Sequence, residues 1–379
     1  MVARTIRLLH PFSAQAIGLK PTDLYYYHSK PHENALRSIG DSTGYHIRID
    51  YFTGRFLPYT KTIANIKKCF WPITYPILRQ RHGWRKQHSQ IHYLATSMQP
   101  PDLTIINMSG HGSPYVFKLA KLLVRQSKPY IAMIGGMNLD YHSNTVLYYK
   151  NAQCIIVHTQ LQKQALQKTD VFRNLNIYVL PLGVDTNLFK PLRFNSNTNQ
   201  LLYVGRISRL KQLEKSIESL HHIVNVKGES ATLNIIGPIS DPAYLGELKT
   251  LIHSFKLEKF VTFLGSLSQT DLIPYYQRAT ILLLPSKHES FGMVMVEAMA
   301  CGTPVVALKG SGGPDEIVVD GVTGKLCVPA SFNDTVYNLL NSPETVATLA
   351  KNSVMLVQEK WSLTYTTQCL KEIIASAFN

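Results

Sequence analysis

The sequence predicts an α/β protein built from two doubly wound domains. Short apolar runs, several of them rich in β-branched residues, alternate with amphipathic helical patterns, as βαβ units and parallel sheets require. The alternation occurs twice, and a polar, turn-rich stretch, KPLRFNSNTNQ at 190–200, separates the two series without any apolar periodicity. The length of 379 residues also exceeds what one hydrophobic core usually supports.

In the first series, residues 5–10, 46–50, 103–107, 130–134, 152–158 and 177–180 read as strands buried on both faces. Residues 31–39, 114–126 and 161–168 read as the helices between them. The second series places strands at 201–204, 232–236, 261–264, 281–284, 304–307 and 325–328, with helices at 213–222, 243–255, 291–300 and 343–359. The expected division is a Rossmann-like domain over 1–189 and another over 190–361, with a final helix at about 362–379 packing back on the first. Ligands of such sheets bind outside the carboxyl ends of the strands, so the expected site is a cleft where the two domains face each other.

Residues 53–90 interrupt the rhythm. Lys61, Lys67, Lys68, Arg79, Arg81, Arg85 and Lys86 are interleaved with Phe70, Trp71, Tyr75, Ile77 and Trp84, with almost no acid among them. Cations beside aromatic rings suit an anionic membrane surface, and this is the favoured reading. A core-packed insertion and a surface for single-stranded nucleic acid stay open beside it. The charge is equally lopsided: residues 1–190 hold 23 Lys and Arg against 8 Asp and Glu, whereas 191–379 hold 16 of each. An anionic partner for the first half follows, with a merely solubilising basic surface as the bland alternative.

Five scattered cysteines without a CxxC argue against a disulfide framework or a zinc site and fit a reducing compartment. The N-terminal VARTIRLLHPFSAQ is too short and broken in its apolar run for a signal peptide, and no window reaches the length of a membrane span. The expected location is cytoplasmic, peripheral on a membrane face.

Chemistry concentrates in the second half. A strand ending in Gly205-Arg206, followed by Lys211, lets backbone approach a phosphate and supplies two cations for a diphosphate. No GxxxxGK[ST] and no strand-following GxGxxG is present, which disfavours ordinary NTPases and dinucleotide oxidoreductases. Residues 285–306, PSKHESFGMVMVEAMACGTPVV, read as strand end, loop, helix and strand start, with Glu289 in the loop and Glu297 within the helix. The N–H groups at that helix start favour a phosphate, and the two carboxylates can accept bonds from hydroxyls. A carboxylate pair also invites a hydrolase reading, or two mere surface charges.

Glu289 and Glu297 spaced as EX7E, VGR at 204–206 with Lys211, and CGTPVVALKGSGGPDEIVVDGVTGKL at 301–326 together resemble the retaining glycosyltransferases of family 4, which have the GT-B fold. PLGVD at 181–185 with Phe189 is similar to that family's entry into its second domain. The likeness is dense over 201–326 and only topological before it. It implies transfer of a hexose from a UDP- or GDP-sugar to a glycan or lipid-linked acceptor, such as a cell-envelope precursor, with retention and without a catalytic metal or other cofactor. By the same resemblance Arg206 and Lys211 bind the donor diphosphate, Glu289 the sugar hydroxyls and Glu297 the ribose. Backbone at Gly205, Phe291, Gly292 and Met293 approaches phosphates and sugar, and Ser266-Leu267 flanks the base.

The chain departs from the family pattern in two places. The glycine-rich loop after the first strand is replaced by PFSAQAIGLKPTDLYYYHSK, and Gly135-Gly136 stands where many members carry a histidine. His111, in SGHGSP, is a candidate for a place near the sugar. A sugar-nucleotide epimerase of the same fold, and a nucleic-acid-binding module using only the basic first half, are the alternative functions.

Overall fold

The structure is a computed structural model describing residues 3–25, 30–75, 83–108, 112–136, 142–192 and 199–378. The chain divides into two compact units, Met1–Pro181 with Thr366–Asn379, and Leu182–Tyr365. Much of the polar stretch 190–200 lies outside the described residues, as do Ile77, Arg79, Arg81, His111 and the side chain of Trp84.

The first unit is built on an eight-stranded sheet. Its strands are β1 (Thr5–Ser13), β2 (His46–Thr53), β3 (Tyr59–Ile63), β4 (Ile66–Pro72), β5 (Leu103–Met108), β6 (Tyr130–Ile134), β7 (Cys154–Val157) and β8 (Ile177–Val179). The order is β3-β4-β2-β1-β5-β6-β7-β8, so it reverses direction between β1 and β5. All neighbours are parallel except β3 and β4. Ile6, Leu8, Leu9, Ile105 and Ile106 are fully buried, as expected of central strands covered on both faces. Pro11 lies where the β1–β2 register slips between His10 and Ser13, which lets a residue without an N–H sit inside a strand. The C-terminal helix Leu363–Phe378 belongs to this unit from Thr366 onward: Thr366 Oγ1 donates to the Pro181 carbonyl at 2.8 Å, and the Arg4 guanidinium lies 4.4 Å from the Phe378 ring centroid.

The β3–β4 hairpin is the main departure from the expected elements. Its two-residue loop, Ala64-Asn65, has positive φ at both positions, 47° and 65°, the conformation whose twist matches paired strands. The lysines concealed it, because Lys61 and Lys67 project to solvent while Ile66, Cys69 and Phe70 turn inward. Phe70 stacks on Tyr59 at 4.6 Å and on Tyr51 at 5.7 Å, and Trp71 meets His92 edge-on. Phe70 is thus buried as the core-packed reading expects, and Trp71 is partly buried against the core. Helices Gln90–Met98 and Ser143–Lys150 were also not expected.

Two ionic knots lie on opposite faces of this sheet, one around Arg7, Arg48 and Asp50, the other around His10, Tyr51 and Lys68. Asp50 receives Arg7 at 3.1 Å, Arg48 at 2.9 Å and His92 Nε2 at 3.0 Å. Glu33 receives Lys68 at 2.7 Å, His10 Nε2 at 3.0 Å and the Tyr51 hydroxyl. His158 is buried nearby, its Nδ1–H donating to the Leu180 carbonyl at 3.0 Å. Burial pushes His158 down to about 4 and His10 to about 3, and lowers His32 and His92 as well. Between these values and the ordinary 6.5 the unfolded chain binds protons that the native chain refuses, so stability falls as pH falls through that window. Glu33 and Asp50, held low by their cationic and histidine partners against the opposing effect of burial, add loss of the same sign below about 4.5. His158 alone accounts for on the order of 3 kcal/mol at ~1.4 kcal/mol per unit. The urea midpoint should therefore drop between pH 6.5 and 4; a flat profile would contradict these burials.

The second unit carries six parallel strands, β9 (Gln200–Val204), β10 (Thr232–Ile236), β11 (Val261–Gly265), β12 (Ile281–Leu284), β13 (Val305–Leu308) and β14 (Gly324–Cys327). Their order, β11-β10-β9-β12-β13-β14, is the doubly wound arrangement, reversing between β9 and β12. Leu201 and Tyr203 enter one core layer and Leu202 and Val204 the other, which is why the strand reads as a continuous apolar run. Helices Gln269–Arg278 and Phe332–Leu340 were not expected; Pro274 inside the first interrupts its pattern.

Candidate active site

The sheet reverses its strand order between β9 and β12, and the carboxyl ends of strands at such a reversal are where doubly wound sheets bind ligands. Gly205 and Arg206 follow β9, and the loop 285–292 follows β12. The Gly205 N–H donates to the Ile236 carbonyl at 2.9 Å, and Tyr203, fully buried, donates its hydroxyl to the Arg206 carbonyl at 3.0 Å. Gly237 packs so closely that a Cβ there would lie 1.9 Å from the Gly205 oxygen. The backbone at 205–206 is thus fixed from below, while the Arg206 side chain is exposed.

A short 3₁₀ turn, Arg209–Lys211, then brings Lys211 to Glu289, and the two form an ion pair whose side chains are only 15% and 13% exposed. The Lys287 N–H donates to the Leu210 carbonyl at 3.0 Å, so the two loops are tied by backbone as well.

The Glu289 loop is held from its other side by GSGG at 310–313. Glu289 N–H donates to the Ser311 carbonyl at 2.8 Å, and Gly313 N–H to the Glu289 carbonyl at 2.7 Å. Asp315 accepts from the N–H groups of Gly310 and Gly312 at 2.8 and 2.9 Å. A Cβ on Gly313 would stand 2.1 Å from the Phe291 carbonyl oxygen. Gly313→Ala should therefore displace Phe291 and Gly292 and cost roughly 1–3 kcal/mol. Its urea midpoint should fall; a wild-type midpoint would contradict the close approach.

Helix Met293–Ala300 begins two residues later than expected, after Gly292 in a left-handed conformation with φ 93° and no side-chain cap. First-turn N–H groups at such a start favour an anion. Glu297, 4% exposed, is engaged at both oxygens, by Gln269 Nε2 at 2.6 Å and the Tyr276 hydroxyl at 2.7 Å, and burial raises its pKa. Ser266 is exposed and Leu267 half-buried in the turn after β11.

The structure thus places Gly205, Arg206 and Lys211 after β9 and Glu289, Phe291, Gly292 and Met293 after β12, with Lys211 joined to Glu289, places Ser266-Leu267 after β11 in the same unit, and turns Glu297 toward helix Gln269–Arg278. Gln269, Tyr276, Ser311, Gly313 and Asp315 were not singled out in the sequence, although the GSGGPDE run was the available signal for the last three. No cluster of three His, Cys, Asp or Glu able to hold a metal occurs among the described residues. Two cations, a helix start and a carboxylate suit a ligand that joins a diphosphate to a polyhydroxyl group.

Residues 184–354 match the family described as glycosyl transferases group 1. That span lies within the second unit. D-inositol 3-phosphate glycosyltransferase 2 of Catenulispora acidiphila is 31% identical over 189 residues, 45% of this chain and 44% of that one. The chain spans about half the length of the curated relatives it matches. Among solved structures, sucrose-phosphate synthase from Thermosynechococcus elongatus superposes with a TM-score of 0.75 at 19% identity, covering 99% of both chains. Anabaena HepE in complex with UDP and glucose gives 0.75 at 20% identity, covering 98% of this chain and all of that one. At such identities these likenesses establish the fold, two Rossmann-like α/β domains of the GT-B kind.

Proposed function

We propose that the chain is a retaining glycosyltransferase of family 4 that moves a hexose from a UDP- or GDP-sugar to a glycan or lipid-linked acceptor. The observation that carries this reading is the Lys211–Glu289 pair at the β9/β12 reversal, beside exposed Arg206 and the uncapped start of helix Met293–Ala300. The glycosyltransferase names of the relatives and the UDP and glucose held by HepE support it. As the bond between the anomeric carbon and the diphosphate oxygen breaks, negative charge grows on the leaving phosphate, where Arg206 and Lys211 lower the barrier. Glu289, released from Lys211 by the phosphate, accepts hydrogen bonds from the sugar hydroxyls, while the ribose reaches Glu297 only by displacing Gln269 or Tyr276 from it.

A panel of UDP- and GDP-sugars tests the donor, since a ligand binding only the folded chain raises the melting temperature as ln(1 + [L]/Kd). One nucleotide series should do so, and no shift with any would sink the reading. Product analysis without acceptor separates the epimerase alternative, which would interconvert donor sugars. No described helix is long and apolar enough to cross a membrane. Peripheral association with an anionic membrane face is proposed from the excess of cations in residues 1–190.

A further inference from the structure

Helix Gln90–Met98 is turned inside out. The Asp50 knot draws its polar residues inward: buried His92 places Nε2 3.0 Å from Asp50, and buried Thr96 accepts from the Arg7 guanidinium. Ile91, Leu94 and Met98, spaced three and four residues apart, share the opposite face and are 43%, 51% and 80% exposed. A helix covering a sheet ordinarily buries such a stripe, and one left in solvent marks an interaction surface. The helix also carries no Asp, Glu, Lys or Arg of its own.

The surround is basic. Helix Pro114–Arg125 runs alongside in the same direction, because three contacts keep step along the pair: the Tyr115 hydroxyl with His92 Nδ1, the Lys118 ammonium 4.3 Å from the Tyr93 ring centroid, and Gln126 Nε2 donating to the Ser97 carbonyl at 2.8 Å. Its Lys118, Lys121 and Arg125 are exposed, and it too lacks an acid. From Tyr51 to Pro101 the sequence holds eight Lys and Arg and no Asp or Glu. Of the acids bounding that span, Asp50 is buried in its knot, and Asp102 accepts from Lys128 and from the Thr5 N–H, each at 2.9 Å. An apolar stripe beside exposed cations with no competing carboxylate is complementary to acyl chains under anionic headgroups. A second copy of the chain docked on this face would instead set like charges opposite each other.

We propose that helix Gln90–Met98 docks the first unit on an anionic bilayer, with Ile91, Leu94 and Met98 entering the headgroup boundary while Lys118, Lys121 and Arg125 meet lipid phosphates. This surface rests on the peripheral association proposed above and names the side chains that make it. Sedimentation of the full chain with vesicles of equimolar phosphatidylglycerol and phosphatidylcholine tests it, wild type against Leu94→Gln/Met98→Gln. Glutamine keeps helix propensity at these exposed positions, so the urea midpoint should not move. Vesicle partition of the variant should fall about tenfold or more. If its midpoint does drop, Met98→Gln alone, at the most exposed position, is read instead and should weaken partition about threefold. Wild type should also bind phosphatidylcholine vesicles at least about tenfold more weakly than the mixed ones, and equal binding to both would overturn the anionic preference and the proposal with it. Equal binding by wild type and a folded glutamine variant overturns this docking surface while leaving peripheral association intact. No vesicle binding by wild type overturns both. A solution dimer that the variant abolishes, without any change in vesicle binding, would assign the stripe to a second copy and contradict the proposal.

Discussion

Replacing Lys211 with Ala is expected to lower sugar-donor turnover by ~10²–10³-fold, the usual loss when one preorganised group facing the developing charge is removed. Lys211 and Glu289 are paired and mostly shielded, so each substitution strands the other partner. The two losses should nonetheless differ in kind. Lys211→Ala removes a phosphate contact, so nucleotide affinity falls together with turnover. Glu289→Ala frees the ammonium, so nucleotide affinity should hold while turnover collapses. Turnover by nucleotide release and affinity by calorimetry separate the two; equal turnover in either variant would contradict the site.

Glu33→Ala is expected to cost ~3–5 kcal/mol of stability, the range for removing one partner of a buried ionic group. Glu33 is buried on helix Pro31–Thr43 and compensates Lys68 at 2.7 Å. Lys30, bonded to Tyr51 at 3.2 Å and lying 3.3 Å from His10 Nδ1, is pushed down to about 7 by burial, with Glu33 opposing that shift. Without the carboxylate, Lys30 should titrate still lower and Lys68 should stand uncompensated. A urea midpoint within error of wild type would show that the knot is not structural.

The second unit was legible because its strands bury both faces and so appear as unbroken apolar runs, as in 281–284. The first unit was harder for a physical reason. β4 carries adjacent lysines, Lys67 in solvent and Lys68 buried on the face of Ile66 and Phe70, and its hairpin turn, Ala64-Asn65, lacks the glycine that usually marks one. The Glu33 and Asp50 knots draw partners from separate elements, so PHENALRSIG reads as an ordinary helix. In the site, the spacing of Glu289 and Glu297 suggested two similar ligand-holding groups. Burial makes them different: one is paired to a lysine at the strand ends, the other sealed by Gln269 and Tyr276. The pairing of Lys211 with Glu289 spans 78 residues of sequence and follows only from the strand order.

The central claim is that a nucleotide-diphosphate sugar sits over Arg206, Lys211 and the Glu289 loop. Hydrogen–deuterium exchange with and without the donor that stabilises the chain tests it most directly. The expected result is protection of the backbone at 205–212 and 289–296. Protection confined to other segments, with these two exchanging as in the free protein, would contradict it.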